Sequence, residues 1–265
     1  MIRWQTLNGA LRWGSGDGGS FLRQTASSFL ICPPTAVLTA SSLKKFVTKY
    51  KAAYIKPNGK HRGEGIIKVW KTSAGYAFVR EQGEPLVFSS LVSLYRTIRK
   101  ETPKTKYVIQ KAIDLAEVEG RPHDFRIMMM RDTQRQWRYV GMLARVAHKD
   151  CVITNAKREH GKVINAETAL KQSFEDADVE KLKQQMIQLS YQICRRLDHY
   201  QYYWKAGVDL AFDKKGKLWM IEANTWPGVT AFRKLPDQST YRKIRAMAAA
   251  YRRRRRVKIP SKALP

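Results

Sequence analysis

The stretch from Gly207 to Gly228, GVDLAFDKKGKLWMIEANTWPG, constrains the fold more than any other. Two strand-forming runs flank a Lys-Lys-Gly-Lys turn, the pattern of a β-hairpin. With an even-numbered loop centred on Lys215 and Gly216, Phe212 pairs with Trp219 and Asp209 falls opposite Glu222. Asp209, Ala211, Met220, Glu222 and Asn224 then share one face, while Val208, Leu210, Phe212, Trp219, Ile221 and Ala223 form an apolar second face. Like charges across a ladder repel, so opposed acids imply a cation between them. Two carboxylates with an amide oxygen two residues on make an all-oxygen set, suited to a hard ion that keeps some waters, and magnesium with phosphate fits that description. The residues leave a second reading open: a solvated hairpin end, in which a one-residue slip separates the two acids.

A chain of 265 residues is long enough to bury a full core, as one large domain or two small ones. Its hydrophobic content of 43% and aromatic content of 11% exclude a disordered chain. Fifty Lys and Arg against 22 Asp and Glu leave a net charge of +28, so anionic partners are expected: nucleotide, acidic polymer, nucleic acid or an anionic membrane face. Cys32, Cys151 and Cys194 are few, odd in number and far apart, which reads as reduced cytoplasmic thiols rather than a disulfide framework. No apolar run reaches 18 residues and the N-terminus has no apolar signal core, so neither membrane spanning nor secretion by a standard signal is expected.

Residues 1–30, glycine- and serine-rich, read as a loose lead-in. Beyond them, SSLKKFVTKY predicts a helix capped by Ser41 or Ser42, AAYIKP a strand, and IIKVWK with GYAFVRE a hairpin. SSLVSLYRTIRKE (89–101) predicts a helix and KYVIQKAI a buried strand. DFRIMMMRD and WRYVGMLARVA alternate as long antiparallel strands, and Val179, Leu182, Met186, Leu189, Ile193, Leu197 and Tyr200 recur at helical spacing along a core helix from about Asp178 to Tyr203. A last helix begins near Asp237. Helices and strands mix without a βαβ rhythm, which argues for an α+β fold with antiparallel sheets.

Between two of these strands, YIKPNGKHRGEGIIKV sets Lys56 before Gly59, Gly63 and Gly65. Glycines let backbone N–H groups approach an anion and a lysine supplies a point charge, so the turn is a candidate phosphate cradle. It is no P-loop, because neither a Gly-Lys-Ser/Thr nor a helix follows. A plain tight turn is the alternative.

Taken in order, YIKPNGKHRGEGIIKV, YVIQKAIDL, GRPHDFRIMM, GMLARVA, VITN and the hairpin above resemble the ATP-grasp superfamily, and more closely its YheC/YheD branch of spore-forming bacteria. The resemblance spans about residues 30–235. It implies an ATP-grasp fold of two α+β subdomains clasping a nucleotide: a lead-in at 1–30, an ATP-grasp domain at 31–236 (glycine-loop subdomain about 50–107, metal-binding subdomain 108–236), and a basic C-terminal helix and tail at 237–265. By the same resemblance, Asp209, Glu222 and Asn224 hold Mg2+, Lys56 reaches the phosphates or the adenine side, the loop from Gly59 through Gly63 to Gly65 folds over the triphosphate, and Gln110, Lys111 and Ile113 form the hinge at the adenine. Asp114, or else Glu117, meets the ribose, Arg126 and Arg145 face the phosphates, and one of Lys44, Lys45 and Lys49 also touches nucleotide.

The implied chemistry is ligation: ATP and Mg2+ convert a carboxylate to an acylphosphate, which an amine or thiol attacks. Such catalysis rests on positioning and electrostatics and needs no protein nucleophile, and the sequence offers none. His61, inside the glycine loop, reads as solvated or as a phosphate contact, and His123, His148, His160 and His199 lack metal-ligand spacing and read as surface or satisfied histidines. Two departures from the pattern put acceptor recognition in question: only about 30 residues precede CPPT, and TNAKREHGKV is charged where related chains are glycine-rich. The run Arg252–Arg256 reads as a solvated helix end that docks on an anionic polymer, lipid or nucleic acid, or as a plain solubilising tail. The competing reading of the whole chain is a non-catalytic, spore-associated scaffold that binds anions.

Overall fold

The computed structural model describes residues 3–7, 10–14, 31–57, 65–80, 83–102, 106–148 and 161–257, with side chains between residues 31 and 254. Strands β1 (Arg3–Leu7) and β2 (Ala10–Gly14) form an antiparallel hairpin. The segment expected to be a loose lead-in therefore carries a small sheet, whose register pairs Trp4 with Trp13, residues of high strand propensity.

The chain divides into two compact units. The first comprises residues 1–123, 146–162 and 211–221. After β1 and β2 it contains β3 (Thr35–Val37), α1 (Ala40–Tyr50), β4 (Ala52–Pro57), β5 (Ile67–Thr72), β6 (Gly75–Val79), β7 (Leu86–Phe88), α2 (Leu91–Glu101), β8 (Tyr107–Lys111) and β9 (Glu117–Val118). Its main sheet runs β3-β8-β4-β5-β6-β7. Leu43, Phe46 and Val47 of α1 and Leu94 and Ile98 of α2 pack with Ile55, Val69 and Ile109 into one apolar cluster. Helix α1 is capped by Thr39 rather than by Ser41 or Ser42. Thr39 Oγ1 accepts from the Ser42 N–H (3.0 Å) and Ser42 Oγ accepts from the Thr39 N–H (2.8 Å), a reciprocal cap that satisfies two otherwise orphaned donors. Strand β8 pairs with both β3 and β4. Flanked on both sides, it is an interior strand of the first sheet, and the first unit's opening segment runs on to His123.

The second unit comprises residues 124–145, 163–210 and 222–265. Here lie most of β10 (Arg121–Arg131) and β11 (Trp137–Val146), then β12 (Lys162–Ile164), α3 (Ala166–Ser173), α4 (Val179–Asp198), the body of β13 (Lys205–Phe212), the end of β14 (Leu218–Asn224), α5 (Thr230–Arg233) and α6 (Ser239–Val257). The sheet order is β12-β11-β10-β13-β14, with β9 pairing off the path to β10. Strand β10 is buried on both faces: Phe125, Ile127 and Met129 on one, Met128 and Met130 on the other. Met128, Met130, Val140 and Leu143 pack with Phe232, Leu235 and Ile244, so α6 is built into the core through Ile244. The α4 stripe buries Met186, Leu189, Ile193 and Leu197 as its spacing predicts. The helix ends at Asp198, five residues short of Tyr203. The His199 and Tyr200 N–H groups bond only three residues back, to Arg196 O (3.3 Å) and Leu197 O (3.0 Å), which tightens the final turn and releases the chain.

Candidate functional site

Four charges interlock on neighbouring strands of the second unit. In the β10–β13 register Arg126 lies directly across from Asp209. Arg126 Nη2 donates to Asp209 Oδ2 (2.9 Å) and Nε donates to Oδ1, a two-pronged pair. From β11, Arg145 donates through Nε and Nη2 to the two oxygens of Asp124, each at 2.6 Å, and its Nη2 also lies 3.0 Å from Asp209 Oδ2. The Asp209 side chain is 0% exposed and that of Arg126 9%. Burial works against the charge on Arg145, but Asp124 and Asp209 outweigh it and hold the guanidinium above its ordinary range. Two cations and two anions balance, as burial demands.

Gly207 makes room for this arrangement. A Cβ there would stand 2.7 Å from Pro227 Cβ and 3.2 Å from Arg126 Cδ, so the Arg126 side chain crosses β13 only over a residue with no side chain. Asp124 and Gly207 are the two residues that sequence reasoning missed. The signal for the first was present, since Asp124 and Arg126 alternate within HDFR and share a strand face.

The hairpin between Gly207 and Gly228 turns differently from the even-numbered loop expected. Asp213 N–H donates to Lys217 O (2.9 Å) and Gly216 N–H to Asp213 O (2.9 Å), with Gly216 at φ +76. This is a three-residue loop rather than an even one, held by the Asp213 carboxylate, which accepts from the Lys215 and Lys217 N–H groups and from Trp219 Nε1. Asp213 therefore faces Lys217, and the expected Phe212–Trp219 pairing is replaced. An unbroken ladder from this turn pairs Asp209 with Ile221. The charge of Asp209 is answered by the arginines of β10 and β11.

Glu222 and Asn224 alternate along β14 and are half-buried. Asn224 Oδ1 accepts from the Trp226 N–H (2.8 Å), shaping the turn that follows. Trp226 is 74% exposed. Lys205 Nζ lies 4.7 Å from its ring centre and 3.3 Å from Pro227 O, and burial lowers the lysine's pKa. In donor chemistry Glu222 and Asn224 fit a hard dication, one carboxylate and one amide oxygen on the same strand face.

In the first unit, Lys56 Nζ donates to Gln110 Oε1 (2.6 Å), and Gln110 Nε2 donates to Thr35 Oγ1 (3.0 Å). Lys111 lies over the Trp219 ring at 5.1 Å and over Tyr50 at 5.7 Å. Lys49 flanks the same tyrosine at 5.4 Å, while Lys44 and Lys45 are exposed. Ile113 is half-buried and Asp114 exposed. Lys214 bridges Asp114 (3.8 Å) and Glu117 (2.8 Å), the two acids proposed for the ribose. Gly65 takes φ +75 at the end of its loop. Gly59, His61 and Gly63 lie outside the described residues, as does VITN.

Two antiparallel sheets carrying these groups define the class: the architecture is that of the ATP-grasp fold. It matches D-alanyl-alanine synthetase A from Vibrio cholerae with a TM-score of 0.52, over 83% of this chain and 56% of that one, at 10% identity, a likeness of fold alone. The particular family follows from the sequence: the chain belongs to the YheC/D like ATP-grasp family, whose model matches residues 20–254. Among its relatives, the endospore coat-associated protein YheD of Bacillus subtilis is 27% identical over 190 residues, 69% of this chain. The endospore coat-associated protein YheC of the same organism is 25% identical over 196 residues, 70% of this chain. The chain spans 41% and 52% of the lengths of these two proteins.

Proposed function

We propose that the chain is an ATP- and Mg2+-dependent ligase-type protein that activates a carboxylate for attack by an amine. One observation carries the reading: Arg126 and Arg145, nearly sealed from water, converge on Asp209 beside a strand that offers Glu222 and Asn224. Family membership adds to it.

In this reading Lys56, the loop through Gly59, Gly63 and Gly65, and the stretch Gln110, Lys111, Ile113 and Asp114 bind ATP. Glu222 and Asn224 would hold Mg2+, which when bound supplies charge screening for the phosphate oxygens, while Asp209, 0% exposed and bonded through both oxygens to Arg126 and Arg145, would fix the arginines rather than ligate the ion. The γ-phosphoryl group passes to a carboxylate oxygen and ADP leaves. The amine nitrogen then attacks the acyl carbon, phosphate departs and the nitrogen loses a proton. In this reading Arg126 and Arg145 would offer their remaining N–H groups to the transferring group, where fixed guanidiniums stabilise charge without reorganising. Their carboxylate partners hold both in place before substrate arrives.

Titration calorimetry with ATP tests this. Binding that requires Mg2+ and is lost in Glu222→Ala supports the reading; wild type that binds no ATP under either condition overturns it. A second reading, a scaffold that binds anions without turnover, is favoured by one feature: both arginines are already balanced by Asp124 and Asp209. ADP release stimulated by a mixture of carboxylates and amines separates the two. Among the described residues no helix is long and apolar enough to cross a membrane.

A further inference from the structure

At the far end of β10, the β10–β11 turn, the chain after α4 and the last turns of α6 enclose a cleft of about 400 Å³. It is lined by Arg131, Arg135, Tyr202, Met247, Tyr251 and Arg254. Arg131 stands five residues along the strand from Arg126, about 16 Å away, so the cleft is separate from the cluster described above.

Each tyrosine has a rigid backing. Tyr251 stacks on Trp204, with ring centres 4.4 Å apart and planes 7° from parallel. Tyr202 lies on the Arg131 guanidinium (5.0 Å), which itself rests on Trp137 (4.3 Å). Arg131 is fixed in turn by donating to Tyr203 O (2.8 Å) and to Asp198, and Trp137 Nε1 donates to the same carboxylate at 3.0 Å. Tyr202 is nonetheless 52% exposed. A large apolar ring held still yet open to solvent is a stacking platform that loses little freedom when a ligand arrives.

The charges point the same way. Arg135 and Arg254 are exposed, and among the described residues neither forms an ion pair. Asp132, the acid of the lining, is taken by Arg138 (2.7 Å) and by the Gln134 and Gln136 N–H groups. Met247 and Ala250 of α6 give an apolar floor, and the sequence continues the helix as Arg252–Arg256.

We infer that this cleft binds single-stranded nucleic acid, with a base against Tyr202 and Tyr251 and the flanking phosphates on Arg135 and Arg254. A polycarboxylate or a lipid headgroup would engage the arginines but has no planar group for the rings. A nucleotide strand uses both, and paired stacking and charge are how such strands are held without regard to sequence. Arg252 and Arg253, which follow Tyr251 and are exposed, add positive charge for further phosphates.

The test is fluorescence polarisation of a labelled oligo(dT) of about 12 nucleotides with the full chain over a range of salt. The expected result is salt-sensitive binding that Tyr202→Ala weakens about tenfold with the salt slope unchanged, while Tyr202→Phe retains it. Arg135→Glu with Arg254→Glu should weaken binding further and flatten the slope by about 1 to 2. Glu222→Ala should bind the oligonucleotide as wild type does, which keeps this result independent of the ATP site. No binding by wild type overturns the inference, as does wild-type affinity in a folded Tyr202→Ala. Equal competition by polyglutamate or by phosphatidylserine vesicles at matched charge also overturns it, assigning the cleft to another polyanion.

Discussion

Arg126 in the middle of β10 and Arg145 near the end of β11 contrast with Arg135 and Arg254 at the cleft by the turn joining those strands, and the two groups are treated in opposite ways. Arg126 and Arg145 are buried and each meets a carboxylate through two nitrogens. Arg135, on the turn, and Arg254, across the cleft from it, are exposed and enter no ion pair among the described residues. Burial accounts for the difference. A charge withdrawn from water must be matched within the protein, and the match then fixes its direction. A charge left in water needs no partner, so it remains available to one that arrives from outside.

That contrast breaks most visibly at Asp209. Asp209→Ala removes the carboxylate that Arg126 and Arg145 share and leaves Asp124 on Arg145 alone, and the loss should be about 3–5 kcal/mol, read as a lower urea midpoint. Asp124→Asn removes one of the two acids on Arg145 and keeps an amide oxygen in place, so the same measurement should fall by about 2 kcal/mol. Gly207→Ala forces a methyl group between Pro227 and Arg126 and should cost about 1–2 kcal/mol by overpacking. In the exposed group, Arg135→Ala should change stability by less than about 0.5 kcal/mol and show itself in weaker retention on immobilised oligo(dT).

The smallest effect concerns acid. Asp132, held low by its bond from Arg138, and Glu180, held low by bonds from Gln184 and Lys183, have folded-state pKa values below their ordinary 3.8 and 4.5. Their contribution is complete above those ordinary values and is lost as pH falls through the lowered ones. Urea midpoints measured downward from pH 4.5 should therefore decline, and Arg138→Ala should remove the Asp132 share of that decline.

Much of the fold was legible because the sequence carries its own period. The strands at 121–131 and 137–146 and the α4 stripe follow from alternation at two and at three to four residues. The site was legible in composition and not in partnership. Arg126 and Asp209 were both singled out, but their pairing depends on β10 lying beside β13, 83 residues on, and no local pattern encodes that neighbour. The hairpin register was misread because Asp213 and the positive φ of Gly216 stabilise an odd loop, so the argument from opposed acids gives way to one from matched charges. The Thr39 cap was missed for a smaller reason: a run of threonine and serines offers several hydroxyls, and the reciprocal bonds with Ser42 choose among them.

The division of the chain has a consequence for biosynthesis. The polypeptide passes from one unit to the other after residues 123, 145, 162, 210 and 221, so neither unit is a continuous length of sequence. A nascent chain ending at residue 221 already has the first unit's segments, yet it lacks Phe232, Leu235 and Ile244, which close the apolar cluster over Met128 and Met130. Folding from the ribosome cannot finish one unit before synthesis of the other has begun. The strands bearing Arg126 and Arg145 must wait, with their apolar faces uncovered, until α6 emerges, which makes that interval the one in which the chain most needs protection from aggregation.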